Sequence, residues 1–133
     1  MNGQYSLALQ TANWVTPLVT MYLLRYHDAV GPNAKAAPNS IWRMENVSTP
    51  ALSQEAGYVT PNVNVVSGFG FVDLTQEPVI LSLPDSKGLY YLVEIVDIYT
   101  NAFAYAVGKA TGYGGGIFAL VGPGWSGSRS GPS

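Results

Sequence analysis

The sequence predicts a mainly β fold, an antiparallel sandwich-like sheet, joined to an N-terminal helical segment that adds an α+β lead-in. Two observations carry this. Apolar side chains recur at helical spacing over residues 4–28; beyond residue 59, β-branched and aromatic residues come in short runs. A third is that Gly, Pro, Asn and Asp clusters with turn chemistry divide those runs. The 133 residues suffice for one domain with a core of its own. We assign that domain to residues 1–127: a helical lead-in at 4–30, a loop at 31–58 and a β region at 59–125. Residues 128–133 then form a disordered tail.

The lead-in places Leu7, Trp14, Leu18 and Met21 on one helical face, with Thr11 and Arg25 at its edges. Pro17 falls inside this pattern and has no N–H to donate. Either a second helix begins there, with Thr16 as its cap and Pro17 in its first position, or one helix is kinked at Pro17. Gly31-Pro32-Asn33 stops the helix in both cases. His27, the one histidine, is either a general base or metal ligand or a polar residue of the last helical turn, where an imidazolium would meet the negative end of the dipole. With no second histidine and no neighbouring nucleophile motif, the second reading is preferred. Residues 31–58 are rich in Pro, Asn, Ala and Ser and read as a loop, with Ile41-Trp42 as a short apolar anchor.

Five strands are expected next. The first, Val63 to Val72, carries Gly68 and Gly70 and is either bulged or closely approached by other backbone. Val79 to Leu83 is bracketed by Pro78 and Pro84, and Asp85 to Gly88 forms a turn. Leu89 to Ile98 is apolar on both faces, as a central strand would be. Ala102 to Val107 follows a break at Tyr99-Thr100-Asn101. Ile117 to Val121 follows the loop Thr111 to Gly116. That glycine-rich loop leads into a strand, whereas phosphate cradles lead into a helix, so it is assigned to a hairpin turn.

Composition excludes several functions. Charged residues make up 11% of the chain and hydrophobic ones 47%, with a net charge of −2. The six basic residues are scattered, so no cationic face is available for nucleic acid. Cysteine is absent, which removes disulfides and thiolate metal sites. One histidine among scattered carboxylates has no metal-ligand spacing, and no cofactor is implied. Thr16, Pro17, Thr20, Arg25 and His27 interrupt the lead-in too often for a membrane span, and no signal peptide is present in these residues. With so little charge, part of the surface is expected to be buried against another domain or subunit.

Asp97, Thr100 and Asn101 form the leading candidate constellation, at the end of a strand where side chains can enter a cleft. In a catalytic reading Asp97 is a general base and Asn101, with Asn62, orients a substrate. In the alternative, these residues hydrogen-bond local backbone in a turn. Tyr91, Tyr99, Thr100 and Trp125 are candidate ligand contacts, and tyrosines 90, 105 and 113 extend that set toward a carbohydrate or aromatic ligand. Trp125 also fits as a plug in the core. Glu94 lies on the opposite strand face from Asp97, which argues against paired carboxylates of the glycosidase type.

The blocks V-T-P-N, L-T-Q-E-P-V-I-L-S-L-P-D, Y-Y-L-V-E-I-V-D-I-Y-T-N-A-F-A-Y and V-G-P-G-W-S-G resemble the family catalogued as domain of unknown function 1254 (DUF1254). The segment P-L-V-T-M-Y-L-L-R-Y at residues 17–26 is similar to that family's N-terminal helix. The resemblance runs from about Ala12 to Gly127. It implies a mostly β fold followed in the same polypeptide by a second β domain, DUF1214, in proteins that are often exported. This chain departs from the family pattern twice. Pro61-Asn62-Val63-Asn64-Val65 stands where P-N-x-D-T is common, and Gly88-Leu89-Tyr90-Tyr91 stands where G-R-Y-Y is common. A carboxylate, a hydroxyl and a cation are thereby missing.

Three function classes follow. The chain is a structural or binding module that assembles with a companion β domain or with itself as a homo-oligomer. Alternatively it is an exported or envelope enzyme using Asp97 with Asn62 and Asn101 on a small polar substrate. The third class is an inactive fragment of a two-domain protein.

Overall fold

A computed structural model describes residues 2–51, 62–109 and 111–127. The tail at 128–133, the start of the β region at 59–61 and residues 52–58 of the expected loop lie outside the described residues. The chain divides into two compact units, one of residues 1–24 and 73–133, the other of residues 25–72. The fold is mixed α+β, with one N-terminal helix and a β-rich body of antiparallel strands.

Helix α1 spans Asn2–Arg25 without interruption, so Pro17 lies inside a single helix. Thr16 does not cap a second one: its hydroxyl donates to the Ala12 carbonyl at 2.7 Å, one turn back in the same helix. Pro17 leaves the Asn13 carbonyl without its usual donor. Packing compensates, because Val15, Pro17, Leu18, Met21 and Leu24 are all half-buried. Of the expected face, Leu18 and Met21 turn inward, whereas Leu7 and Trp14 stay exposed. A π-helical turn, Tyr26–Val30, ends the helix, and the Gly31 N–H donates to the Tyr26 carbonyl at 2.6 Å. A Cβ on Gly31 would stand 2.9 Å from that oxygen, which explains why glycine is the stop residue.

In the unit of residues 25–72, strand β1 (Trp42–Arg43) pairs antiparallel with β2 (Gly68–Phe69). Trp42 of the expected Ile41-Trp42 anchor therefore opens a strand inside the expected loop, whereas Ile41 lies outside it and is exposed. The expected strand at 63–72 shortens to these two residues. Its glycines do permit close approach: a Cβ on Gly68 would stand 2.8 Å from the Trp42 carbonyl oxygen, and one on Gly70 2.5 Å from that of Ser40.

In the other unit, β3 (Val79–Leu83) pairs with β6 (Gly116–Leu120), in register from Val79 opposite Leu120 to Leu83 opposite Gly116. Strand β4 (Val93–Val96) pairs with β5 (Ala102–Ala106). All pairing is two-stranded, so the continuous sheet expected from five strands is not built by hydrogen bonds among the described residues. The expected central strand at 89–98 is reduced to β4, which pairs only with β5. Its start is diverted because Lys87 and Gly88 both take positive φ (55° and 88°) and Tyr91 donates its hydroxyl proton to the Pro84 carbonyl. Leu89 and Tyr90 are consequently exposed. The register also shifts: Ile95 faces Ala104 while Val96 faces Ala102, leaving Phe103 as the extra residue of a β-bulge.

The glycine loop does lead into a strand, but β6 pairs with β3 and not with the strand before the loop. A bridge between Gly108 and Gly112 closes a small turn instead. Leu83, Ala106 and Val107 form the buried core, with Leu81, Tyr91, Val93, Tyr113 and Phe118 packed around it. Both strand pairs contribute to this cluster. Full burial of Val107 stabilises by about 1.5–3 kcal/mol, although its backbone sits at φ 68°.

Candidate functional site

The β4–β5 connection gathers Asp97, Tyr99, Thr100 and Asn101 into one turn. Asp97 Oδ1 accepts the backbone N–H groups of Tyr99 at 2.8 Å and Asn101 at 2.9 Å. Asp97 Oδ2 accepts from Asn101 Nδ2 at 2.9 Å. The backbone closes the same loop, with Asp97 N–H donating to the Asn101 carbonyl at 3.0 Å and Thr100 N–H to the Asp97 carbonyl at 3.0 Å. Asp is suited to this because its short side chain reaches donors two and four residues ahead. Thr100 is held at φ 69°, a conformation that β-branched residues rarely adopt.

These bonds also set the electrostatics. The Asn101 side-chain amide, then the Asn101 backbone N–H, and to a lesser degree that of Tyr99, hold the Asp97 carboxyl below its ordinary value against a small opposing desolvation. A lowered carboxyl is a weak base at neutral pH, whereas a general base is most effective with a pKa near the operating pH. Every Asp97 oxygen is engaged in the turn, and the geometry matches a local clamp.

Of the other candidates, Tyr99 packs its ring on Trp14 of α1, centroids 5.7 Å apart. Tyr91 is half-buried beside the core. Tyr90 is exposed and meets Tyr113 at 6.4 Å, and Tyr105 is exposed on β5 opposite Glu94. Trp125 follows the turn at Gly122 and keeps 43% of its surface exposed, so it does not plug the core. Asn62 belongs to the other unit, where its Oδ1 accepts the Asn64 N–H at 2.8 Å in a turn of its own.

A second cluster, within residues 25–72, was not singled out from the sequence. Asp28 is buried, with 2% of its side chain exposed. Its Oδ1 lies 2.8 Å from His27 Nδ1 and 3.5 Å from Lys35 Nζ. Its backbone carbonyl accepts from Lys35 N–H at 2.8 Å and Ala36 N–H at 3.2 Å. Lys35 Nζ also stands 4.8 Å from the centre of the Trp42 ring and 5.7 Å from that of Phe69. His27 thus meets a buried carboxylate, not only a helix end. The signal available in the sequence was weak: His-Asp adjacent to a glycine stop, and a lysine seven residues on.

Among the described residues, no group of three or more His, Cys, Asp or Glu side chains is placed to hold a metal ion. No helix among them is long and apolar enough to cross a membrane. No curated protein and no solved structure matches the chain. A family model described as "Protein of unknown function (DUF1254)" matches residues 38–132, most of the sequence and every strand among the described residues. The chain belongs to the DUF1254 family.

Proposed function

We propose that this chain is a structural or binding module that assembles with a companion β domain, of the DUF1214 kind implied by the family resemblance. The observation that carries this reading is the first half of α1. Residues 3–14 are exposed throughout, and they include Tyr5, Leu7, Leu9 and Trp14, at 75%, 66%, 52% and 65% exposure. Tyr5 and Leu9 lie on one side of the helix and Leu7 and Trp14 on the other, with Gln4, Ser6, Gln10, Thr11 and Asn13 between them, and large apolar side chains left exposed on both sides favour burial against a partner. Exposed Val19, Tyr22 and Leu23 continue the surface toward the C-terminal end. Apolar surface of this extent marks an interaction site. The Asp97 turn favours this reading over catalysis, because its carboxylate is spent on local backbone.

The test is the solution mass of the chain, alone and mixed with a DUF1214 domain encoded beside it, by size exclusion with light scattering. A one-to-one complex that Leu7→Glu and Leu9→Glu abolish, with circular dichroism unchanged, supports the proposal. A stable homo-oligomer broken by the same substitutions would place a second copy on the helix instead. A cooperative monomer at high concentration that takes up no companion would overturn assembly.

A further inference from the structure

The β3–β6 pair is apolar on both of its faces. Side chains alternate along each strand, so Val79, Leu81, Leu83, Phe118 and Leu120 share the inner face, where Leu81 and Phe118 pack around the core at Leu83. The outer face carries Ile80, Ser82, Ile117 and Ala119, all exposed, with the two isoleucines at 62% and 77%. Val121, also exposed, continues the alternation just beyond β6. An antiparallel pair with one solvated face ordinarily turns polar side chains outward. Here Ser82 is the one polar side chain on that face.

The other strand pair differs in charge. The outer face of β4–β5 sets Glu94 opposite Tyr105, both exposed, and would carry its carboxylate into any contact with a second copy. Like charges brought together at an interface cost several kcal/mol and exclude that pairing. Neither β3 nor β6 contains a charged residue, so two copies of their outer face meet without such a cost. Shape points the same way. Ile80 stands opposite Ala119 and Ser82 opposite Ile117, so the two large side chains occupy one diagonal of the face and the two small ones the other. A two-fold axis between facing copies, along or across the strands, sets each isoleucine over an alanine or a serine of the other copy. A two-fold contact requires a self-complementary patch of this kind, and facing sheets about 10 Å apart fill the gap by interdigitation.

We propose that the outer face of β3–β6 is a self-association surface, covered by the same face of a second copy of this chain. Each strand is five residues long, so the face measures about 17 Å by 10 Å. Each copy therefore gives less than the ~800 Å² of a standard interface, and the dimer is weak, reversible and set by concentration. It uses none of the α1 residues that carry assembly with a companion domain, and the two contacts are separable.

Sedimentation equilibrium of the full chain over a wide concentration series tests this. The expected result is a reversible monomer–dimer equilibrium. Ile117→Lys should weaken it about tenfold or more, the effect of keeping one isoleucine in water, with circular dichroism unchanged. Ile80→Lys should do the same. Ala119→Leu separates fitted packing from general apolar adhesion. It adds apolar surface but fills the space an isoleucine needs, so it too should weaken the dimer. Leu7→Glu should leave the dimer intact. A monomer at every concentration overturns the proposal, as does a dimer that Ala119→Leu tightens or that Leu7→Glu dissolves. A companion β domain that displaces the dimer, and that Ile117→Lys no longer binds, would assign the face to that domain and overturn self-association.

Discussion

Trp14 of α1 and Tyr99 of the β4–β5 turn hold their rings 5.7 Å apart at an interplanar angle of 34°. This contact joins the helix to the turn that Asp97 clamps, so local chemistry at residues 97–101 and packing of the lead-in are one problem. A tilted aromatic pair contributes about 0.5–1.5 kcal/mol beyond area burial, and the exposure of Trp14 places this one at the low end. A double-mutant cycle of Trp14→Ala and Tyr99→Ala, read by urea unfolding, should return a coupling near 0.5 kcal/mol. Strict additivity would mean the rings do not communicate in solution.

The clamp predicts an acid dependence. Because the Asp97 carboxyl is lower in the folded state than in the unfolded chain, its contribution is fully present above the unfolded value, about pH 4. It is lost as pH falls through the folded value. Asp97→Asn keeps an oxygen that can accept from Tyr99 and Asn101, but it cannot titrate. Its melting temperature should therefore fall less steeply than that of the parent between pH 5 and pH 2, and parallel curves would remove Asp97 from the acid transition.

Thr100 at φ 69° carries backbone strain that the surrounding turn enforces. A left-handed residue other than glycine costs about 1–2 kcal/mol, and glycine loses part of that gain through its larger unfolded-state entropy. Thr100→Gly should stabilise the chain by about 0.5–1 kcal/mol in thermal or denaturant unfolding. A loss of stability would show that the Thr100 side chain makes a contribution beyond its backbone.

Breaking a buried ion pair from one side costs more than breaking an exposed one, since the remaining charge stays out of water. Lys35→Ala removes the ammonium from Asp28 and from the ring faces of Trp42 and Phe69. The expected loss is about 3 kcal/mol, whereas Lys87→Ala, which breaks an exposed pair with Asp85, should change stability by less than about 1 kcal/mol. Equal effects of the two substitutions would contradict the burial of Asp28.

Where the chemistry was local, the sequence was legible. Pro78 and Pro84 cannot donate to a ladder, and they delimit β3 at Val79–Leu83. Asp97 has a side chain that binds nearby backbone and does so here, while the Asn101 side chain donates to the Asp97 carboxylate instead. Gly68 and Gly70 marked a close approach, although not which strand approaches. Long-range pairing was not legible, because nothing in Ile117 or Phe118 says that β6 turns back to β3 across the whole β4–β5 hairpin. Pro17 left one helix or two open, because whether a missing helix bond is offset by burial of Leu18, Met21 and Leu24 depends on tertiary structure. Asp28 escaped notice for a similar reason: its burial depends on Lys35 and the rings beyond it, and an adjacent His-Asp pair on an isolated helix has no such environment.

Before Arg25 no side chain is charged at neutral pH, so α1 up to Leu24 offers a partner no charged side chain that dissolved ions can screen. Association through this helix should be indifferent to sodium chloride over the range in which ion pairs weaken. It should tighten in ammonium sulfate, which is excluded from apolar surface. The ionic-strength profile of any complex this chain forms is therefore a signature of whether a charged surface made it.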